Sequence, residues 1–245
     1  MAPLVIIPTR LAATRLPHKP LADIGGLPMI LHVVRRAQAA GVGPVAVAAG
    51  DPQIVEVVER AGARAVLTDP ALPSGTDRIR AALHALDPAG EVDAVINLQG
   101  DMPFVDADPI RACARVLADE PACDIATVVA PGDGADAANP NVVKAVLERP
   151  PEGGGVRALD FTRSAPAGAV WRHLGLYGYR RHALERFCAA APDARETAEK
   201  LEQLRAYPLG LSIWAARVER APISVDTPED LAEARAWWAS SGASV

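Results

Sequence analysis

The alternation in the first 130 residues constrains this 245-residue chain most. Apolar runs at Leu4–Pro8, Val45–Ala49, Ala65–Thr68, Ala94–Leu98 and Ile125–Ala130 are separated by helical patterns at Met29–Ala40, Pro52–Ala61, Asp77–Leu86 and Pro109–Leu117. The runs lack polar residues at every second position. Each expected strand is therefore covered on both faces, which a parallel sheet flanked by helices achieves. Gly41 and Gly62 stand where the first two helices end, as helix C-termini favour. The first half is expected to be a doubly wound α/β unit.

After about Pro131 the rhythm changes. Val142–Glu148 and Val156–Phe161 read as strands about the Pro150–Gly155 turn, a hairpin pattern. Gly175–Tyr179 is a short β-like run, His182–Ala191 and Glu196–Tyr207 read as helices, and Ser212–Val218 as a strand. Thr227 is an N-cap and Pro228 the first residue of a last helix to about Ser240. With no repeat and no long polar linker, the expectation is one domain over 1–245 with an inserted or appended subdomain.

Composition excludes several classes. With 25 basic against 30 acidic residues and a net charge of −5, the chain does not suit nucleic-acid coating. No apolar run approaches the ~18 residues of a membrane span, and no secretory pattern opens the chain. A soluble, cytoplasmic protein is expected. Cys113, Cys123 and Cys188 are odd in number and lack CxxC spacing, which argues against a disulfide framework or a zinc site. Lysine occurs only at 19, 144 and 200 in an arginine-rich chain, which slightly raises the expectation that each serves as a compact point charge.

The stretch IIPTRLAATRLPHKPL, Ile6–Leu21, leaves the first strand and carries Arg10, Arg15 and Lys19. Ligands of open α/β sheets bind at the carboxyl ends of strands, and a triphosphate there needs several positioned cations. The stretch is neither a Walker A loop nor GxGxxG. A solvated basic loop is the alternative, but the position after the first strand and the stiffening Pro8, Pro17 and Pro20 favour an anion site. NLQGDMP, Asn97–Pro103, follows the fourth strand: Gln99 offers an amide, Gly100 allows close approach, and Asp101 is a hard oxygen ligand suited to Mg²⁺. ISVDTPEDL supplies a second carboxylate, Asp226, and Mg²⁺ usually takes one or two beside phosphate oxygens. Each Asp also has a plain role as a turn residue or as a neighbour of a cap. In SGTDR, Ser74–Arg78, small residues let the backbone read a base edge, while Thr76 or Asp77 can cap the helix. RHLGLYGYR (172–180) and KLEQLR (200–205) suit a polyhydroxylated anion, although a solvated helix face accounts for the latter as well.

Taken together, IIPTRLAATRLPHKPLADIGGLPMI, SGTDR, NLQGDMP, NPNVVKAVL, RHLGLYGYR, EKLEQLR and ISVDTPEDL occur in order across nearly the whole chain. In this the sequence resembles the 3-deoxy-manno-octulosonate (Kdo) cytidylyltransferases. The resemblance implies a three-layer Rossmann-like nucleotidyltransferase fold with a mixed, mostly parallel central sheet and a smaller sugar-binding and dimerisation subdomain. It assigns 1–130 to CTP, 131–217 to sugar and dimerisation, and 218–245 to a metal Asp with a C-terminal helix packing back. CTP and Kdo are the implied substrates, Mg²⁺ the cofactor and a homodimer the assembly. Arg10, Arg15, Lys19, Asp101 and Asp226 become the catalytic set. Pro8, Arg10, Arg15, Lys19, Ser74, Gly75, Arg78, Gln99 and Asp101 become nucleotide-binding. Gln99, Arg163, His173, Tyr177, Glu202 and Gln203 become sugar-binding, and Asp101 and Asp226 the metal ligands. The chemistry implied is attack of the anomeric hydroxyl on the α-phosphorus of CTP, with loss of pyrophosphate, for lipopolysaccharide biosynthesis.

Two departures stand out. Met102 follows Asp101 where the family often has Glu, and the stretch Ser164–Val170 is shorter than the family's connection. The short stretch motivates a second reading, a cytidylyltransferase for another acidic sugar such as 8-amino-Kdo or a sialic acid. A non-catalytic nucleotide-sugar sensor is a third. The presence of both Asp101 and Asp226 with all three loop cations speaks against it.

Overall fold

The computed structural model describes residues 2–12, 15–151, 153–166 and 168–241. Its elements are β1 (Leu4–Thr9), β2 (Asp23–Ile24), β3 (Leu27–Pro28), α1 (Met29–Ala40), β4 (Val45–Ala49), α2 (Pro52–Arg60), β5 (Arg64–Leu67), α3 (Gly75–Leu86), β6 (Ala94–Asn97), α4 (Ala107–Asp119), β7 (Ile125–Pro131), α5 (Gly134–Ala138), β8 (Lys144–Leu147), β9 (Val156–Thr162), β10 (Trp171–Arg180), α6 (Arg181–Ala189), α7 (Ala194–Glu199), β11 (Ile213–Arg217) and α8 (Pro228–Ser240). Short 3-10 turns occupy Lys19–Leu21 and Glu202–Ala206. No helix among the described residues is long and apolar enough to cross a membrane.

The chain divides into two compact units. The first comprises Ala2–Glu91, Asn97–Ala107 and the segment from Pro222 onward. Its strands run parallel in the order β5-β4-β1, with Val5 opposite Val45 and Ala46 opposite Arg64. Every residue of β1 is buried, which is why its apolar run shows no alternation. Helices α1, α2 and α3 pack on these strands, and α1 stops at Gly41, whose φ of 66° is the left-handed conformation that Gly adopts without strain. At the other end of the sequence a reciprocal cap starts α8. The Thr227 hydroxyl accepts from the Asp230 amide at 3.2 Å, and the Asp230 carboxylate accepts from the Thr227 amide at 2.9 Å. Leu231 and Ala234 of α8 then enter a core cluster with Ile24, Met29, Phe104 and Val225. Three segments far apart in sequence are thereby tied together just below Asp226.

The second unit comprises Val92–Ile96 and Asp108–Ala221. Its strands follow the order β6-β10-β7-β11-β9-β8, and β8 also pairs with β10, Lys144 opposite Arg172. Strands β10, β7, β11, β9 and β8 therefore close into a ring, an arrangement that protects strand edges. Only β7 and β11 are parallel within it. The β10–β7, β11–β9 and β8–β9 pairs are antiparallel, so parallel and antiparallel pairing are mixed. The hairpin expected about Pro150–Gly155 is β8–β9.

Among the differences from the sequence reading, three have a local cause. The run expected at Gly175–Tyr179 is part of the ten-residue β10, whose register shifts between Leu174 and Tyr177; such a bulge breaks the alternation that marks a strand. The helix expected over Glu196–Tyr207 is two pieces, α7 and a 3-10 turn, because Lys200 adopts a left-handed φ of 55° between them. Helix α3 begins at Gly75 rather than Asp77, since the cap is the Ser74 hydroxyl, which accepts from the Asp77 amide at 3.1 Å.

One carboxylate in this unit makes stability depend on pH. Burial pushes the carboxyl of Asp124 up, but hydrogen bonds from the Ser212 amide (2.8 Å), His182 (3.0 Å) and the Ser212 hydroxyl (3.1 Å) outweigh it and leave the pKa below the ordinary value. A depressed carboxylate stabilises the fold above its unfolded pKa of about 3.9 and loses that contribution as pH falls through the folded value. Urea unfolding should show Asp124→Asn less stable than the parent at pH 7, with the gap closing below about pH 4. A gap independent of pH would rule out this origin.

Candidate active site

The first unit gathers its charged residues at strand ends and helix starts. Strand β1 delivers Pro8 and Thr9, and the chain is then held by two bonds: the Gly50 amide donates to the Thr9 carbonyl at 2.9 Å, and the Leu11 amide donates to the Asp51 carboxylate at 2.8 Å. His18 turns the chain in a left-handed conformation, φ 56°, and the 3-10 turn that follows presents Lys19. A non-glycine residue in that region costs about 1–2 kcal/mol, so the turn is held by its surroundings. The Lys19 ammonium donates to Asp101 at 3.2 Å and to Asp226 at 3.0 Å. Arg15, largely exposed, reaches the other oxygen of Asp226 at 3.3 Å. The Val225 amide donates to the Asp101 carbonyl at 2.9 Å, and the Asp230 carboxylate accepts from the Asp226 amide at 2.9 Å. Main-chain bonds thus fix both carboxylates where one cation can meet them. Burial pushes the carboxyl of Asp101 above its usual range, Lys19 opposes this and the charge of Asp226 adds to it.

A cleft of about 210 Å³ opens beside this cluster. Of the residues expected on the nucleotide side, Pro8, Arg10, Lys19, Ser74, Gly75, Arg78, Gln99 and Asp101 line it. Arg15 and Asp226 join it through their ion pairs. Arg78 is 2% exposed, with its guanidinium on the Thr68 hydroxyl at 2.6 Å and the Asp69 carbonyl at 3.1 Å. Burial foremost, then the charge of Arg10, lowers its pKa. Gln99 is oriented by donating to Asn97 at 3.1 Å. Thr9, Ala12, Pro20 and Gly100 also line the cleft. Gly100 was noted for close approach, and the others could have been found only from their nearness to Arg10 and Lys19.

A Cβ on Gly100 would lie 3.0 Å from the Pro8 carbonyl oxygen and 3.3 Å from the Thr9 Cβ. Neither can swing away, so Gly100→Ala must separate the end of β1 from the loop carrying Asp101. We expect a loss of about 1–3 kcal/mol, as for other overpacked sites, with weaker CTP binding by calorimetry. Unchanged stability and affinity would show that the approach is not needed.

In the second unit a cavity of about 270 Å³ is lined by Asn141, Arg172, His173, Tyr177, Leu201 and Gln203, among others. Three residues expected on the sugar side, His173, Tyr177 and Gln203, are thus together. Burial lowers the His173 pKa to about 3, so the ring is neutral at pH 7. The Thr127 hydroxyl lies 2.9 Å from the Leu176 carbonyl and 3.0 Å from His173 Nε2, so with its single proton on that carbonyl it accepts from Nε2. In either tautomer the neutral ring keeps one donor and one acceptor nitrogen. Burial raises the pKa of Tyr177, and the charge of Glu202 raises it further; its hydroxyl remains a neutral donor and acceptor. Glu202 and Arg163 do not line this cavity. Gln99, expected on both sides, lines the cleft of the first unit.

The sequence profile of the cytidylyltransferase family matches residues 4–213. The 3-deoxy-manno-octulosonate cytidylyltransferase of Rhodospirillum centenum is 53% identical over 238 residues, covering 96% of this chain and 92% of that protein. The enzyme of the same name from Methylobacterium radiotolerans is also 53% identical, covering 96% of each. The chain belongs to the 3-deoxy-manno-octulosonate cytidylyltransferase family. A solved CMP:2-keto-3-deoxy-manno-octonic acid synthetase complexed with CTP shares its fold at a TM-score of 0.90 and 36% identity, covering 98% of this chain and all of that one. The alternating first half and the hairpin-rich second half are therefore those of a mixed-sheet α/β nucleotidyltransferase of the Kdo cytidylyltransferase kind.

Proposed function

We propose that the protein activates Kdo: CTP and 3-deoxy-D-manno-octulosonate give CMP-Kdo and pyrophosphate. The observation that carries this reading is the convergence of Lys19 on Asp101 and Asp226 beside a cleft lined by Arg10, Ser74, Gly75 and Gln99, in a chain of this family. The 2-hydroxyl of Kdo attacks the α-phosphorus of CTP. A phosphorus–oxygen bond to the sugar forms, the bond to the β-phosphate breaks, and pyrophosphate leaves with the electron pair while the hydroxyl proton goes to solvent. Positioning and charge carry such a transfer, with no protein nucleophile. Arg10, Arg15 and Lys19 provide cations for the triphosphate, and Arg78 lines the nucleotide side while bonded to Thr68 and Asp69. Ser74, Gly75 and Gln99 read the cytosine and ribose, and His173, Tyr177 and Gln203 offer neutral donors and acceptors to the sugar hydroxyls.

Two hard carboxylates that share a single ammonium fit a magnesium ion accompanied by phosphate oxygens. Asp101 and Asp226 would hold it, and when bound it supplies charge neutralisation and polarisation at the phosphates. By the resemblance, the enzyme works as a cytoplasmic homodimer and its product serves lipopolysaccharide biosynthesis. The test is pyrophosphate release with CTP, Mg²⁺ and Kdo, each omitted in turn, and with 8-amino-Kdo and a sialic acid in place of Kdo. Release that needs all three components and favours Kdo is expected. Preference for another acidic sugar would overturn the substrate, and no release with any of them would overturn the activity.

A further inference from the structure

Arg163 came into the sugar-binding set by resemblance, yet its guanidinium is committed to the protein itself. Its Nε donates to the Glu199 carbonyl at 2.9 Å, its Nη1 to the Pro140 carbonyl at 3.0 Å, and its Nη2 to the Lys200 carbonyl at 3.3 Å. Glu199 and Lys200 are the last residue and the C-cap of α7, at the left-handed turn that breaks the chain ahead of the Glu202–Ala206 turn. The carbonyls there have no partners within the helix, and a cation at a helix C-terminus is favoured by the macrodipole. Pro140 lies in a different loop, between α5 and β8.

A second cation completes the arrangement from inside. Lys144 is fully buried, and its ammonium donates to the Asn139 carbonyl at 2.7 Å and to the carbonyl of Arg163 itself at 2.8 Å. Lys144 thus ties the main chain of Arg163 to the 139–141 loop, while the side chain of Arg163 ties that loop to the 199–200 turn. The two joined segments carry Asn141 on one side and Leu201 and Gln203 on the other, all of which line the cavity of the second unit.

We infer that Arg163 is a positioning residue, which with Lys144 clasps together the two loops that line the sugar cavity and acts on the sugar only through them. This rests on the reading of that cavity as the Kdo site. A planar guanidinium reaching three carbonyls in fixed directions is a role that lysine fills poorly. The clasp holds in the free protein, whereas a direct sugar contact would leave the free protein unchanged when removed. Misplacing binding groups by about 1 Å costs up to roughly a hundredfold.

Hydrogen–deuterium exchange and steady-state kinetics of Arg163→Ala and Arg163→Lys test it. In the substrate-free protein, Arg163→Ala should exchange faster at the amides of residues 139, 141 and 142 and of residues 200–204, and little elsewhere. Its KM for Kdo should rise about ten- to a hundredfold, while its KM for CTP stays within about twofold. Arg163→Lys should fall between the two proteins in both readouts, and it keeps the experiment decisive if the alanine variant does not fold. Unchanged exchange with a raised KM for Kdo would overturn the inference in favour of direct sugar contact. Unchanged exchange and unchanged KM would overturn it altogether. If the parent turns over no Kdo while exchange in the variant still rises, the clasp stands and the assignment of the cavity falls.

Discussion

Replacing Asp101 by Asn should cut kcat by about a thousandfold, the equivalent of the several kcal/mol a metal centre contributes to charge stabilisation, and should leave the fold intact. Asn has nearly the volume of Asp, so no cavity forms. Asp101 and Asp226 share Lys19, and the charge of Asp226 opposes ionisation of Asp101. Removing one negative charge relieves that repulsion, and Lys19 keeps Asp226 as its partner. The melting temperature should therefore stay within about 2–4 °C of the parent, the shift that ~1 kcal/mol gives a chain of this size. Turnover and thermal unfolding measured on the same preparation separate the two roles. A fall of 10 °C or more accompanied by a proportionate loss of folded protein would mean that Asp101 serves structure.

The largest effect on stability is expected at Arg205. Its side chain is 8% exposed and that of Glu196 10%. The guanidinium donates from Nε to Glu196 Oε2 at 2.7 Å and from Nη2 to the other oxygen, reaches the carbonyls of Phe187 and Ala190, and lies 4.8 Å from the centre of the Phe187 ring. Glu196 also caps α7 by accepting from the Asp193 amide at 3.0 Å. Arg205→Leu strands the Glu196 carboxylate in the interior, and breaking a buried pair in this way costs about 3–5 kcal/mol. Adding Glu196→Gln should recover much of that loss, because the penalty arises mainly from the uncompensated charge. Denaturant unfolding of both variants tests this. A double variant no more stable than the single one would show that the cost lies in lost packing around Phe187.

Much of the fold was legible where backbone chemistry punctuates the sequence. The bounds of α1, β4 and α8 are those read from Gly41, from the apolar run Val45–Ala49 and from the Thr227-Pro228 start. Legibility failed where a residue adopts a conformation its type does not announce. Lys200 is left-handed without being Gly or Asn, so the periodicity of Glu196–Tyr207 read as one helix. The bulge in β10 displaced the alternation that would have shown its full length. The residue types of the cleft were legible because cations and carboxylates stand at strand ends, but their pairing was not. Lys19 meets partners 82 and 207 positions away, and only the tertiary fold brings them together. Arg163 shows the remaining gap, since a side chain bonded to main-chain carbonyls leaves no pattern in sequence.

The most direct test of the central claim is to follow the label from CTP carrying ³²P at the α-phosphate, with Kdo and Mg²⁺, in the parent and in Asp101→Asn. The account predicts that the label enters a sugar-linked product in the parent, in step with release of unlabelled pyrophosphate, and does so about a thousandfold more slowly in the variant. Label that stays in CTP, or that enters the sugar product equally fast in both proteins, would contradict it.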